Sequence, residues 1–177
     1  NGSVTFPADF MLVAAMNPCP CGHLGDPRRE CTCTPEQVHR YRSRISGPLL
    51  DRIDIHMEVP PVPYEDLSGD EAGRSSGDML KGVLAARVLQ NERFREEPVR
   101  INAGMGSRHL REHCLLDDEG RVMLERAVNR FGLSARAYAR ILKVARTVAD
   151  LAASPRILAE HLAEAIQYRA MDRMPFS

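Results

Sequence analysis

Four of the chain's five cysteines fall in two tight pairs, Cys19-Pro20-Cys21 and Cys31-Thr32-Cys33, on one short polar stretch. Four thiolates so grouped form a tetrahedral sulfur set suited to Zn²⁺. Its role would be structural, because four protein ligands leave no open position for a reacting molecule. The C-x-C spacing is tighter than the usual C-x₂₋₄-C of such sites, and His23 is placed to replace one cysteine. Unliganded thiols or a disulfide are the other readings of the same residues. Asn17 ends the apolar run Met11-Leu12-Val13-Ala14-Ala15-Met16. It is either a polar group at the tip of a strand or the first residue of an Asn-Pro turn. Arg52 stands in Asp51-Arg52-Ile53-Asp54, which taken alone reads as a salt bridge to either acid. A helical wheel over residues 134–151 gathers Arg136, Arg140, Lys143, Thr147 and Asp150 on one side, ordinarily a solvated face. His39, Arg40, Arg42 and Arg44, interleaved with Tyr41, read equally as a nucleic-acid patch or as a solvated or inter-subunit face. Cys114 reads as a small buried hydrophobe.

The elements that must position these groups follow from periodicity. Met11 to Met16 is too continuous for an alternating surface strand and too short for a helix, so a buried parallel strand fits it best. An open α/β sheet places its chemistry beyond the carboxyl ends of such strands. Val4-Thr5-Phe6 reads as one strand of a hairpin, Pro35 to Ile45 as a basic helix, and Ile55 to Val59 as a second strand-like stretch. Pro60 to Gly77 is a linker by composition. Beyond it the pattern is helical. Ser75 with Asp78 starts a helix whose apolar face, Leu80, Val83 and Leu84, runs on to Phe94. A short helix covers 107–113. Asp117 opens the next, with Leu124, Ala127, Val128 and Phe131 on one face and Gly132 closing it. Ser134 caps the following helix, and Ser154-Pro155 starts the last one.

The length of 177 residues allows one domain or two small ones. A hydrophobic content of 44% suits a globular core, and a formal net charge of zero argues against a dedicated nucleic-acid arm. No apolar run approaches the ~20 residues that span a bilayer, and the N-terminus has no signal-peptide pattern. Paired cysteines of this kind suit a reducing cytosol.

The segments FMLVAAMNPCPCG and YRSRISGPLLDRIDIHMEV, followed by LSARAYARILKVARTVADL and HLAEAIQYR, resemble the magnesium-chelatase-like AAA+ ATPases, in particular their ComM/YifB competence-protein branch. The resemblance runs from about Val4 to Arg173. It implies an α/β fragment of an AAA+ core, with parallel strands and a Cys-rich zinc loop, followed by an all-α helical lid. The domains implied are 1–60 for the core part, 61–77 for the linker and 78–177 for the lid. It nominates Asn17 as the first sensor and Arg52 as a finger aimed at a neighbouring subunit's γ-phosphate. Arg136 becomes the second sensor, with Arg140 as the next candidate to touch nucleotide. Cys19, Cys21, Cys31 and Cys33 become ligands of a structural zinc. It further implies ATP and Mg²⁺ as cofactors, a cytoplasmic hexameric ring of identical subunits, and action on DNA during natural transformation. The motor subunit of a magnesium-porphyrin chelatase is the nearest alternative. A zinc-binding interaction module without nucleotide chemistry is the alternative from a different class. The departure is that no G-x-x-x-x-G-K-[ST] loop and no paired-acid strand end occur in the sequence, so this chain alone is expected to be inactive.

Overall fold

The computed structural model describes residues 3–6, 10–62, 64 and 73–169. The chain divides into two compact units, Asn1–Arg44 and Ile45–Ser177. Residues 45–60 therefore belong to the helical unit, and most of the expected linker over 61–77 lies outside the described residues.

The first unit contains one regular element among the described residues, helix α1 (Pro35–Arg42). Its start is written in the sequence. Thr34 accepts a hydrogen bond from the Gln37 N–H, the Gln37 side chain accepts one from the Thr34 N–H, and Pro35 occupies the first turn, where its missing N–H costs nothing. α1 buries none of its residues.

The expected parallel strands are absent among the described residues, which are helical or irregular, so the α/β expectation does not hold for them. Met11, Leu12 and Val13 take no regular secondary structure and are largely exposed, as are Met57 and Val59. A single bridge among the described residues joins His56 to Arg169 in parallel sense. An extended segment becomes a strand only when a neighbour takes up its N–H and C=O groups. No second strand lies beside residues 10–16 among the described residues, so the apolar pattern has nothing to pair with. Val4-Thr5-Phe6 likewise takes no regular secondary structure and is exposed.

The second unit is helical. It contains α2 (Gly47–Leu50), α3 (Ser76–Arg93), a 3₁₀ turn (Asn102–Gly104), α4 (Ser107–His113), α5 (Asp118–Phe131), α6 (Ala135–Leu151) and α7 (Ala159–Gln167). Local chemistry sets most boundaries. Ser75 accepts from the Asp78 N–H, Asp117 from the Gly120 N–H, and Ser134 from the Ala137 N–H. Gly132 ends α5 at φ +59, in the left-handed region where a side chain would be strained. α6 lies at the centre. Its Ile141, Leu142, Ala145 and Ala149 pack with Leu124 and Ala127 of α5, Leu162, Ala165 and Ile166 of α7, and Phe94 just beyond α3. Cys114 joins this core as the sequence suggests, and burial pushes its thiol up to about 11.

Two expectations fail in this unit. Leu80, Val83 and Leu84 are about half exposed, so the first turns of α3 are not covered; Ala86 and Gln90 are the positions of this helix that are buried. Ser154-Pro155 does not start the last helix. Its two carbonyls instead accept hydrogen bonds from Arg146, and α7 begins at Ala159, where the His161 ring accepts from the Leu158 N–H. A buried guanidinium needing acceptors outweighs the Ser-Pro helix-start signal here.

Candidate metal centre and exposed arginines

The Cys19–Cys33 loop brings its four sulfurs to within 4.8 Å of one another. Cys19 and Cys21 stand 3.4 Å apart, Cys21 and Cys31 3.6 Å, and Cys19 and Cys31 3.7 Å, with every cysteine free of disulfide bonds. A tetrahedral ion with metal–sulfur bonds of ~2.3 Å requires sulfur–sulfur edges of roughly 3.8 Å. The cluster is therefore close to the size of a thiolate cage, and its four sulfurs could hold a metal ion. Gly22, at φ +84, makes the turn that lets its N–H donate to the Cys19 carbonyl at 3.1 Å. His23 turns away from the cluster toward Asp26, with Nδ1 3.5 Å from Oδ2. It does not substitute for a cysteine.

The loop also supplies N–H donors to sulfur. Those of His23 and Thr32 pull the Cys21 thiol down to about 5. Burial raises the Cys19 thiol, but the Leu24 and Gly22 N–H groups and a Cys31 contact carry it below its ordinary value. Backbone N–H groups reach Cys31 and Cys33 as well. There burial and the neighbouring sulfurs outweigh them and push both thiols up, Cys33 to about 12. Four negative sulfurs this close repel one another, and a divalent cation is the ordinary means of removing that repulsion. Beside the cluster runs an open groove of about 620 Å³ whose α1 side carries Arg40 and Tyr41, with Arg44 just beyond the helix.

Asn17 lies in the same unit, exposed, with its side chain 3.8 Å from where a Cβ on Gly22 would sit. The nominated arginines all belong to the helical unit. Arg52 is exposed and donates to the Pro48 carbonyl at 2.8 Å. Neither neighbouring acid takes it. Asp51 accepts from the Ser134 hydroxyl at 2.9 Å and faces Arg169 at 3.7 Å, while Asp54 pairs with Arg140. The D-R-x-D salt bridge expected from local sequence is thus replaced by longer-range contacts. Arg136 is exposed in the first turn of α6, and among the described residues no ion pair or hydrogen bond holds it. Arg140, one turn on, is mostly covered and committed to Asp54.

The charged side of α6 is not a solvated stripe over its whole length. Asp150 is fully buried, and accepts from Arg93 at 2.5 and 2.8 Å, from Asn102 at 2.8 Å and from Arg146 at 3.1 Å. The Arg146–Asp150 spacing of four residues was a signal present in the sequence. Arg93 and Asn102 were not legible as partners.

The sequence profile described as "Magnesium chelatase, subunit ChlI C-terminal" matches residues 73–169, and that described as "Magnesium chelatase, subunit ChlI" matches residues 1–67. The chain is 46% identical over 176 residues to "Competence protein ComM" of Haemophilus influenzae, covering 98% of this chain and 33% of that protein. It is 46% identical to the YifB protein of Escherichia coli, with the same coverage. It is 33% identical over 169 residues to an uncharacterized protein of Mycobacterium tuberculosis, covering 96% of this chain and 33% of that one. The chain belongs to the magnesium-chelatase-like family, in its ComM/YifB branch. It spans about a third of the length of the curated relatives it matches. Among the described residues no helix is long and apolar enough to cross a membrane.

Proposed function

We propose that this chain is the C-terminal part of the ATPase module of a ring-forming AAA+ motor, made of a zinc loop and a helical lid. In the longer protein, ATP hydrolysis with Mg²⁺ drives work on DNA in a cytoplasmic, hexameric ring of identical subunits. The observation that carries this reading is the 46% identity to the Haemophilus competence protein, sustained over 98% of the chain. That match spans the cysteine loop, the Arg52 segment and α6 together.

When bound, Mg–ATP supplies the phosphoryl group that passes to water. The residues here hold and orient. Asn17 offers a carboxamide that can position a water at the terminal phosphate. Arg136, at the N-terminus of α6, presents its charge to phosphate oxygens where the helix dipole adds to it. Arg52 offers a planar, permanently charged fork to the neighbouring subunit. The DNA part of the reading draws on the groove beside α1, where two arginines flank a tyrosine and no carboxylate lines the wall. Such a surface suits phosphates and stacked bases.

The longer protein should hydrolyse ATP, and Asn17→Ala should abolish that turnover without loss of assembly. No turnover by the longer protein, with or without DNA, would overturn the reading. This chain by itself contains no phosphate loop, so it should neither hydrolyse ATP nor bind it at micromolar concentration. Calorimetry and a phosphate-release assay check both points. Turnover by the chain that Asn17→Ala removes would show the site to be misassigned.

For the cysteine loop, we expect about one Zn²⁺ per chain in protein prepared without chelator, with Zn–S bonds near ~2.3 Å. Elemental analysis and X-ray absorption read both quantities. Replacing Cys21 or Cys31 by Ser should remove the ion and leave the helical unit folded, because each unit holds its own contacts. Metal-free protein in reducing buffer would contradict the assignment.

A further inference from the structure

We propose that Asp54 and Asp51 are positioning residues that tie the Arg52 segment to helix α6, so that the exposed Arg52 and Arg136 move as one body. This inference rests on the reading of those two arginines given above. Residues 51–56 form no strand and no regular helix, and an exposed segment of that kind would ordinarily leave an arginine loosely placed. Here polar contacts fix it at both ends of its run. The Ser134 hydroxyl caps α6 by accepting from the Ala137 N–H and also donates to Asp51 at 2.9 Å. Arg140, on the same helix, donates to Asp54. The Ile53 carbonyl accepts from Arg169, and the His56 N–H donates to the Tyr168 carbonyl at 2.6 Å, just beyond α7.

The chemistry of the arrangement separates the roles of neighbouring residues. Had Asp51 or Asp54 paired with Arg52, the guanidinium would have been neutralised and unable to serve a phosphate. Both acids are instead turned onto α6 and the end of α7, and among the described residues the hydrogen bond that Arg52 makes is to the Pro48 carbonyl. The same contacts divide the two lid arginines. Arg140 acts as a strut, spent on Asp54, and Arg136, one turn earlier, is the one left facing outward. A tilt of α6 that brings Arg136 to or from a phosphate therefore carries the Arg52 segment with it.

The test is made in the longer, assembled protein. Asp54→Ala should lower ATP turnover by about 10- to 100-fold, the scale of a reacting geometry displaced by about 1 Å. Nucleotide affinity should stay unchanged, because Arg52 acts on the neighbour's phosphate. Reversing the pair, with Asp54→Arg and Arg140→Asp together, should restore most of the loss. A pair with only a structural role would lower the melting temperature and leave turnover intact below it, and that result would overturn the proposal. Should Asp54→Ala fail to assemble, Asp51→Asn serves in its place. It should give a smaller loss in turnover with the same unchanged affinity, and full activity there overturns the tether. Arg52→Ala is the control that separates the two levels. If it abolishes turnover while the Asp54 and Asp51 variants keep full turnover, the tether alone fails. If Arg52→Ala itself keeps full turnover, the reading beneath the tether fails and takes the tether with it.

Discussion

Asp150→Ala is expected to destabilise the helical unit by about 3–5 kcal/mol, the cost of leaving buried charge unpaired. Asp150 is fully buried and is the shared acceptor of Arg93, Arg146 and Asn102, which come from three separate elements. Removing it leaves the Arg146 guanidinium, 3% exposed, without its carboxylate, and frees the end of α3 from α6. The surface pair Arg121–Asp118 is the contrast: both side chains are more than two-thirds exposed, and Asp118→Ala should cost within about 1 kcal/mol. Urea unfolding followed by helix circular dichroism measures the difference. Equal, small effects from the two substitutions would mean that the network does not hold the helices together. Acid should act through the same residue. Burial alone would raise the Asp150 carboxyl, but the bonds from Arg93 and Asn102 and the charges of Arg93 and Arg146 carry it below the ordinary value. A depressed folded-state pKa means that this stability is fully present above ~pH 4, the unfolded value, and is lost as pH falls through the lower folded one. The Asp150→Ala protein should therefore show a weaker loss of stability below ~pH 4 than the wild type.

What could be read in the sequence was what depends on near neighbours. Ser75 with Asp78, Asp117 before α5, Gly132 after it and Ser134 before α6 each act within a few residues, and the helices begin and end close to them. The cysteine cluster belongs to the same class, since a loop of this length lets two C-x-C pairs fold onto one another. The strands were illegible in the opposite sense. The run from Met11 to Met16 carries a strand's composition, but a strand is a relation between two segments, and the described residues offer no second one. The apolar face of α3 shows the same gap, with a helix of the expected length whose Leu80 and Leu84 meet no covering surface among the described residues. Around the candidate site, local reasoning paired Arg52 with its own neighbours. The partners Asp51 and Asp54 actually take lie more than eighty residues away, at Ser134 and Arg140, and no local spacing rule reaches that far.

Arg52→Ala is expected to lower ATP turnover of the longer protein by ~10³-fold or more, the scale of a lost arginine finger, while nucleotide affinity barely changes. The reason lies in when the charge is needed. A guanidinium that meets the phosphoryl group as negative charge grows on it stabilises the transition state and contributes little to the ground state. The surroundings of Arg52 suit that role, because it is exposed, turned away from both flanking acids, and bonded to the Pro48 carbonyl one turn back. Arg52→Lys should not restore activity, because an ammonium is a point charge without the planar fork that meets two oxygens at once. Whether the residue serves its own subunit or the next is read by mixing. Arg52→Ala subunits are inactive because the finger is missing, and subunits with a disabled phosphate loop are inactive because the nucleotide is not held. If the finger acts across the interface, a ring containing both kinds places an intact finger against an intact nucleotide site, and turnover returns at intermediate ratios. If mixed rings that assemble stay inactive at every ratio, Arg52 acts only within its own subunit and the trans assignment is wrong.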